Sequence, residues 1–114
     1  MTRPHVEILY FDGCPNHEAA RALVERVAAE LPVEPEITLV RVPDGTGATQ
    51  HRFLGSPTVR VDGRDVEPGA EKRREFVFSC RIYRSERGLS GLPDPAWVRA
   101  ALAGSAAMRG TSEG

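Results

Sequence analysis

The amino-acid sequence predicts an α/β fold in which helices flank a mixed central β-sheet, in the order β-α-β-α-β-β-α. Three observations lead to this prediction. Apolar runs rich in β-formers alternate with helical patterns, an Asp-Gly turn joins two of these runs, and prolines mark helix ends. A chain of 114 residues with 40% hydrophobic residues builds one core. We therefore expect a single domain over residues 1–103, followed by a flexible tail at residues 104–114.

The first half of the chain predicts two strands and two helices. Residues 6–11 are almost entirely apolar, as in a central strand that is covered on both faces. After the break at Asp12-Gly13, a helix is expected over residues 15–31, because its apolar residues recur at intervals of three and four. Residues 36–42 form the second strand, and a short helix follows at about residues 48–54.

The second half predicts a hairpin and a final helix. Asp62-Gly63 separates two β-rich runs, so residues 58–61 and 64–66 should be antiparallel neighbours. The last helix begins with Asp94 as its N-cap and Pro95 at its first position. Its inner face carries the apolar residues Trp97, Val98, Ala101 and Leu102.

Charge and composition exclude several classes of function. Fifteen basic and sixteen acidic residues give a net charge of −1, which offers no electrostatic reason to expect nucleic acid or an anionic membrane as a partner. No apolar run approaches the roughly 20 residues that span a bilayer. Residues 1–7 lack the apolar stretch of a secretory signal. We therefore expect a cytoplasmic protein.

The two cysteines, Cys14 and Cys80, are too few for a disulfide scaffold. Each is a buried apolar residue, a reactive thiol or a metal ligand. Cys14 stands at the start of the first predicted helix, where free N–H groups and the helix dipole lower the pKa of a thiol. The sequence therefore favours a reactive Cys14 over an inert one.

Other polar residues near Cys14 leave several roles open. His17 follows at helical spacing, where it would hydrogen-bond the thiolate, transfer a proton, bind a metal ion or simply face solvent. Asp12 is most simply a turn residue at a strand end, with a proton relay or a metal ligand as its alternatives. Arg81 and Arg84 would support a thiolate, although charged loop residues are usually solvated.

The ordered set of features resembles the thioredoxin fold. The first strand leads into Gly13-Cys14-Pro15-Asn16-His17, where thioredoxin-like proteins carry Cys-x-x-Cys. Ser56-Pro57-Thr58 precedes the third strand, where those proteins carry a cis-proline. The resemblance spans about residues 5–103. His17 stands where a resolving cysteine would be, so redox chemistry within one helical turn is excluded.

Three segments of the chain resemble a more specific group within this fold. They are residues 11–15, 53–59 and 80–93. Their sequences are similar to those of a small bacterial group described as thioredoxin family or alkylmercury lyase-like proteins. The resemblance implies that Ser56, Pro57 and Thr58 form a loop that offers backbone groups to an extended substrate. The tight hairpin then returns the chain to the same sheet edge, so the segment that carries Cys80 starts near Cys14 and leaves Cys80 open as a resolving thiol or a second thiolate ligand. The alternative for Cys80 is burial among neighbouring aromatic residues.

Three functional hypotheses follow. In the first, Cys14 attacks a thiol-containing small molecule or protein and Cys80 resolves the adduct, with no cofactor required. In the second, Cys14 and Cys80, with His17 or a carboxylate, bind Cu(I), Zn(II) or Hg(II), and organomercurial cleavage has the same requirement for two thiolates beside a carboxylate. In the third, the chain is a noncatalytic accessory module. The sequence favours the first and leaves the substrate, redox direction and oligomeric state undefined.

Overall fold

The computed structural model describes residues 3–14 and 16–111, with side chains up to Ser105. Within this part of the chain, a mixed sheet of four strands lies among three α-helices, which confirms the predicted α/β class. A 3-10 turn at Ala70–Lys72 and a separate two-stranded hairpin complete the fold. The elements are β1 (His5–Tyr10), α1 (His17–Glu30), β2 (Glu36–Arg41), α2 (Gly45–Gln50), β3 (Thr58–Val61), β4 (Arg64–Asp65), β5 (Tyr83–Ser85), β6 (Gly88–Ser90) and α3 (Pro95–Thr111).

Strand β1 lies inside the four-stranded sheet, whose order is β2-β1-β3-β4. Ile8 of β1 lies opposite Leu39 in the parallel pairing with β2 and opposite Val59 in the antiparallel pairing with β3. Strands β3 and β4 are antiparallel, as predicted, and Asp62 and Gly63 both have positive φ at their turn. Two successive positive φ angles match the twist of a two-residue hairpin, which explains why Asp-Gly occurs there.

The sheet is covered on both faces. Helices α1 and α3 contact each other and bury one face, with Val6 and Ile8 of β1 beneath them. The opposite face carries a smaller apolar cluster that consists of Leu9, Val42, Ala48 and Phe53. Burial of both Ile8 and Leu9 agrees with the apolar run that predicted a central strand. No helix among the described residues is long and apolar enough to cross a membrane.

Two helices differ in extent from the sequence prediction. Helix α2 begins three residues early, because the Asp44 carboxylate accepts a hydrogen bond from the Gly47 N–H at 2.8 Å and caps it there. Helix α3 begins at Pro95 as predicted, with Asp94 accepting from the Ala96 N–H at 2.9 Å. It continues to Thr111, into the segment predicted as a flexible tail, because the alanines of that segment favour helix. Residues 112–114 lie outside the described part.

The hairpin of β5 and β6 was not predicted. Its strands have three residues each, too few for an alternating pattern to be visible in the sequence. Gly88, with a φ of 103°, supplies the left-handed residue at its turn. At the start of α1, the predicted first residue Pro15 lies outside the described residues, and the helix is assigned from His17.

The central position of β1 predicts unequal costs for two substitutions in the same cross-strand pair. Ile8→Ala removes a fully buried side chain and should lower the free energy of unfolding by about 2–5 kcal/mol. Leu39→Ala, at a side chain that is 39% exposed, should change it by only about 0.5 kcal/mol. Urea unfolding of both variants measures the difference, and equal losses would contradict the observed burial.

Candidate functional site

Cys14 lies in the short connection between β1 and α1. Gly13 has a φ of 95° and turns the chain, and the Cys14 N–H donates to the Phe11 carbonyl oxygen at 3.2 Å. At the N-terminus of α1, the Asn16 side chain makes no capping hydrogen bond. Cys14 therefore has the predicted place before the helix. Its residue surface is only 2% exposed, however, so it lacks the access that the sequence analysis expected of a reactive thiol.

His17 contacts the backbone of Cys14. Its Nδ1 lies 3.0 Å from the Cys14 carbonyl oxygen, and its ring stacks on Tyr10 with 4.3 Å between the centroids. A carbonyl oxygen only accepts hydrogen bonds, so Nδ1 carries the proton and donates. The hydrogen bond of His17 thus goes to the Cys14 carbonyl oxygen and not to the thiol. Among the described residues, His17 belongs to no cluster of side chains that could hold a metal ion. His17 instead fixes the main chain that carries Cys14.

Cys80 lies beside Ser56, the residue that precedes Pro57 in the chain. The two residues form a parallel bridge in which the Ser56 N–H donates to the Ser79 carbonyl and the Arg81 N–H donates to the Ser56 carbonyl, both at 2.8 Å. Cys80 is exposed, and both cysteines are free thiols. Two backbone hydrogen bonds therefore hold residues 79–81 against Ser56, although the two segments are far apart in the sequence.

Cys14 is near enough to Cys80 to affect the protonation of the Cys80 thiol. The pKa of the Cys80 thiol lies above its ordinary value, first because surrounding atoms desolvate it. The charge of Cys14 and a side-chain hydrogen bond with Cys14 raise the pKa of Cys80 further. Cys80 therefore keeps its proton to a higher pH than an isolated thiol does. This influence of Cys14 places Cys80 in its neighbourhood, the region where strand directions were expected to start the Cys80 segment.

The peptide bond between Ser56 and Pro57 is cis, as the resemblance implied. The Tyr83 hydroxyl donates to the Pro57 carbonyl oxygen at 2.5 Å, and the Thr58 hydroxyl donates to the Gly55 carbonyl at 2.6 Å. Together with the two backbone hydrogen bonds of Ser56, these side chains occupy backbone polar groups of residues 55–57. The backbone groups that the resemblance assigned to an extended substrate at Ser56 and Pro57 are thus engaged within the molecule.

Arg81 forms a buried ionic cluster that the sequence analysis did not predict. Its guanidinium donates to both carboxylate oxygens of Asp65, at 2.7 and 3.1 Å, and to Glu67 at 2.6 Å. It also donates to the Thr58 hydroxyl at 3.1 Å and lies 4.2 Å from the ring centroid of Tyr83. Burial alone lowers the pKa of Arg81, but Tyr83 and the two carboxylates outweigh it and raise the pKa. Arg81 therefore stays charged although it is 3% exposed.

The remaining polar candidates are exposed. Asp12 pairs with Arg41 at 2.7 Å on an exposed surface, and Arg84 is exposed on β5. Among the described residues, no group of three or more His, Cys, Asp or Glu side chains is arranged to hold a metal ion. Within the described part of the chain, the two cysteines therefore belong to no cluster of three such ligands.

Comparisons with protein-family models, with curated proteins and with solved structures find no match for this chain.

The buried cluster predicts that Arg81 is essential for stability. Arg81→Met leaves Asp65 and Glu67 without their shared cation, and we expect the free energy of unfolding to fall by about 3–5 kcal/mol. Arg73→Met is the matched control, because Arg73 pairs with Glu67 from an exposed position and should contribute less than about 1 kcal/mol. Chemical denaturation measures both, and similar losses would contradict the importance of the buried cluster.

The contact between the thiols predicts a shift in the titration of Cys80. In reduced Cys14→Ala, the charge and the hydrogen bond of Cys14 are absent, so the pKa of Cys80 should fall below its wild-type value. At neutral pH, a larger thiolate fraction should then speed alkylation of Cys80. Alkylation across a pH series, followed by peptide mass spectrometry, measures the shift. Ser79→Ala is the control, and an unchanged Cys80 profile in Cys14→Ala would contradict the contact.

Proposed function

We propose that this chain has a thioredoxin-like fold and acts as a thiol–disulfide redox protein in which Cys14 and Cys80 form one reversible disulfide. One observation carries the proposal: Cys14 is near enough to raise the pKa of Cys80, which is far away in the sequence and is bridged to Ser56 at the cis peptide of Pro57. The β2-β1-β3-β4 sheet order and the cis-proline immediately before β3 support the fold assignment.

The proposed reaction transfers two electrons between the chain and a substrate disulfide. A cysteine thiolate attacks one substrate sulfur, so a mixed disulfide forms and the other substrate sulfur leaves as a thiolate that takes up a proton. The second cysteine, once deprotonated, attacks the protein sulfur of the mixed disulfide and expels the remaining substrate thiolate. The substrate is reduced to two thiols, and Cys14 and Cys80 are oxidised to a disulfide. The reverse reaction oxidises substrate thiols.

Exposure divides the roles of the two sulfurs. Attack requires an in-line approach of sulfur to a disulfide, and Cys80 is exposed whereas Cys14 is buried. We therefore assign the mixed disulfide to Cys80 and the resolving step to Cys14. The raised pKa of Cys80 lowers its thiolate fraction at neutral pH, so the attack should speed up as the pH rises. In the reverse direction, a substrate thiolate attacks the exposed Cys80 sulfur, and Cys14 leaves as the thiolate. This assignment exchanges the roles that the sequence analysis gave to the two cysteines.

The same pair supports binding of a soft metal ion as a second function. Two adjacent thiolates suit Cu(I) or Hg(II), which accept sulfur ligands. Zn(II) fits less well, because structural zinc has four protein ligands and the described residues offer no larger cluster. Organomercurial cleavage would also need a carboxylate as proton donor, and the Asp12 carboxylate is paired with Arg41.

The redox proposal predicts an intramolecular disulfide after mild oxidation. Wild-type protein treated with diamide should yield a peptide that links Cys14 to Cys80, with no disulfide between separate chains. With hydroxyethyl disulfide, the Cys14→Ser variant should trap a stable mixed disulfide at Cys80. The matched Cys80→Ser variant should react at least about tenfold more slowly, because Cys14 is buried. Peptide mapping and intact mass measure these products.

These experiments test two parts of the proposal separately, the roles of the two cysteines and the redox function itself. Faster trapping at Cys14 than at Cys80 would restore the roles expected from the sequence and leave the redox pair standing. Free thiols throughout after oxidation, with no linked peptide, would overturn the redox function. A pair that resists oxidation but binds Cu(I), with binding lost in either serine variant, would support the metal function instead.

A further inference from the structure

A separate cavity lies against the β3–β4 hairpin, on segments that do not include either cysteine. Its volume is about 180 Å³, well above the roughly 10–15 Å³ that a single water requires. Four guanidinium groups line it, together with an apolar part formed by three residues. The arginines are Arg52, Arg60, Arg64 and Arg73, and the apolar residues are Leu54, Ala70 and Phe76.

Two of these arginines are held in place by contacts with the protein. The Arg60 guanidinium donates to the carbonyl oxygens of His51 and Arg52, at 2.6 and 3.0 Å. The Arg52 guanidinium lies 5.2 Å from the ring centroid of Phe76, so the aromatic side chain supports it within the cavity wall. The positive charges are therefore partly ordered before any ligand is present.

Carboxylates neutralise only part of these charges, and Arg73 is the lining arginine that has an ion pair, with Glu67 at 3.3 Å. Asp65 lines the cavity, but both of its oxygens accept hydrogen bonds from Arg81. Within the described residues, Arg52 and Arg64 form no ion pair, and neither does the remaining lining carboxylate, Glu71. The cavity thus combines unpaired guanidinium groups with one unpaired carboxylate.

Arg60 lies among charges of both signs. Burial lowers the pKa of Arg60, the charges of Asp65 and Glu7 raise it, and the smaller effects of Arg81 and Arg52 lower it again. The cations left for an anion in the cavity are therefore chiefly Arg52 and Arg64, which form no ion pair among the described residues. Guanidinium groups suit a phosphate in particular, because their planar N–H donors match pairs of phosphate oxygens.

We propose that this cavity binds a phosphate monoester, whose phosphoryl group contacts Arg52, Arg60 and Arg64 and whose organic group packs against Leu54 and Phe76. The unpaired guanidinium groups supply the attraction for a doubly charged group. The apolar wall distinguishes an organic phosphate from free inorganic phosphate. Glu71 opposes the ligand, since its carboxylate lines the same cavity. Neither cysteine lines the site.

Phenyl phosphate, inorganic phosphate and benzoate, titrated at constant ionic strength and followed by calorimetry, test the proposal. Phenyl phosphate should bind most tightly, because it alone combines the phosphoryl group with an apolar ring. Arg64→Gln should weaken its binding at least about tenfold, as expected for the loss of charge-assisted hydrogen bonds. Glu71→Gln should strengthen binding, because it removes the opposing charge. Arg84→Gln, at an exposed arginine outside the cavity, should leave binding unchanged.

Several results would overturn the phosphate-ester site. They are an absence of saturable binding of phenyl phosphate, equal binding of all three probes, or equal losses in Arg64→Gln and Arg84→Gln. Preferred binding of inorganic phosphate would exclude the organic group and assign the cavity to the free anion. Urea unfolding of each variant shows whether the fold is retained, and Arg64 is exposed, so its substitution should preserve the fold.

Discussion

The guanidinium of Arg81 is the interaction on which the arrangement of the site depends. It is buried, donates to Asp65 and Glu67, and lies over the ring of Tyr83. A buried charge without partners is very costly, so the segments that carry these residues must stay together. The cluster thereby joins the end of the β3–β4 hairpin to the segment that precedes β5. Cys80 directly precedes Arg81, so the ionic cluster around Arg81 determines where the Cys80 thiol lies.

Local signals in the sequence predicted the features whose causes are local. Asp62-Gly63 specified a hairpin because few other pairs adopt its two positive φ angles, and Asp94 specified a helix start because its carboxylate caps the first turn. Burial of Arg81 could not be predicted in this way. Its carboxylate partners lie 14 and 16 residues away in the chain, and an arginine in a charged loop is ordinarily solvated.

The two thiols show the same limit. Their proximity followed from strand directions, since a tight hairpin returns the chain to the sheet edge where β1 ends. Their unequal exposure did not follow, because it depends on how residues 76–82 lie across that edge, and these residues carry no periodic pattern. The role of His17 was equally hidden, because its ring bonds to a backbone carbonyl, a partner that spacing alone does not reveal.

The distance in sequence between the two cysteines has a consequence for the lifetime of the protein. A bond between Cys14 and Cys80 would enclose α1, β2, α2, β3 and β4 in one covalent loop. By loop-closure entropy, a ring of this size contributes about 4 kcal/mol, a large share of the roughly 5–15 kcal/mol that ordinarily separates native from unfolded chains. The oxidised chain would then resist heat and proteases far better than the reduced chain. Reducing surroundings would break this bond and shorten the lifetime of the protein. Its rate of degradation would therefore depend on the redox state of its surroundings.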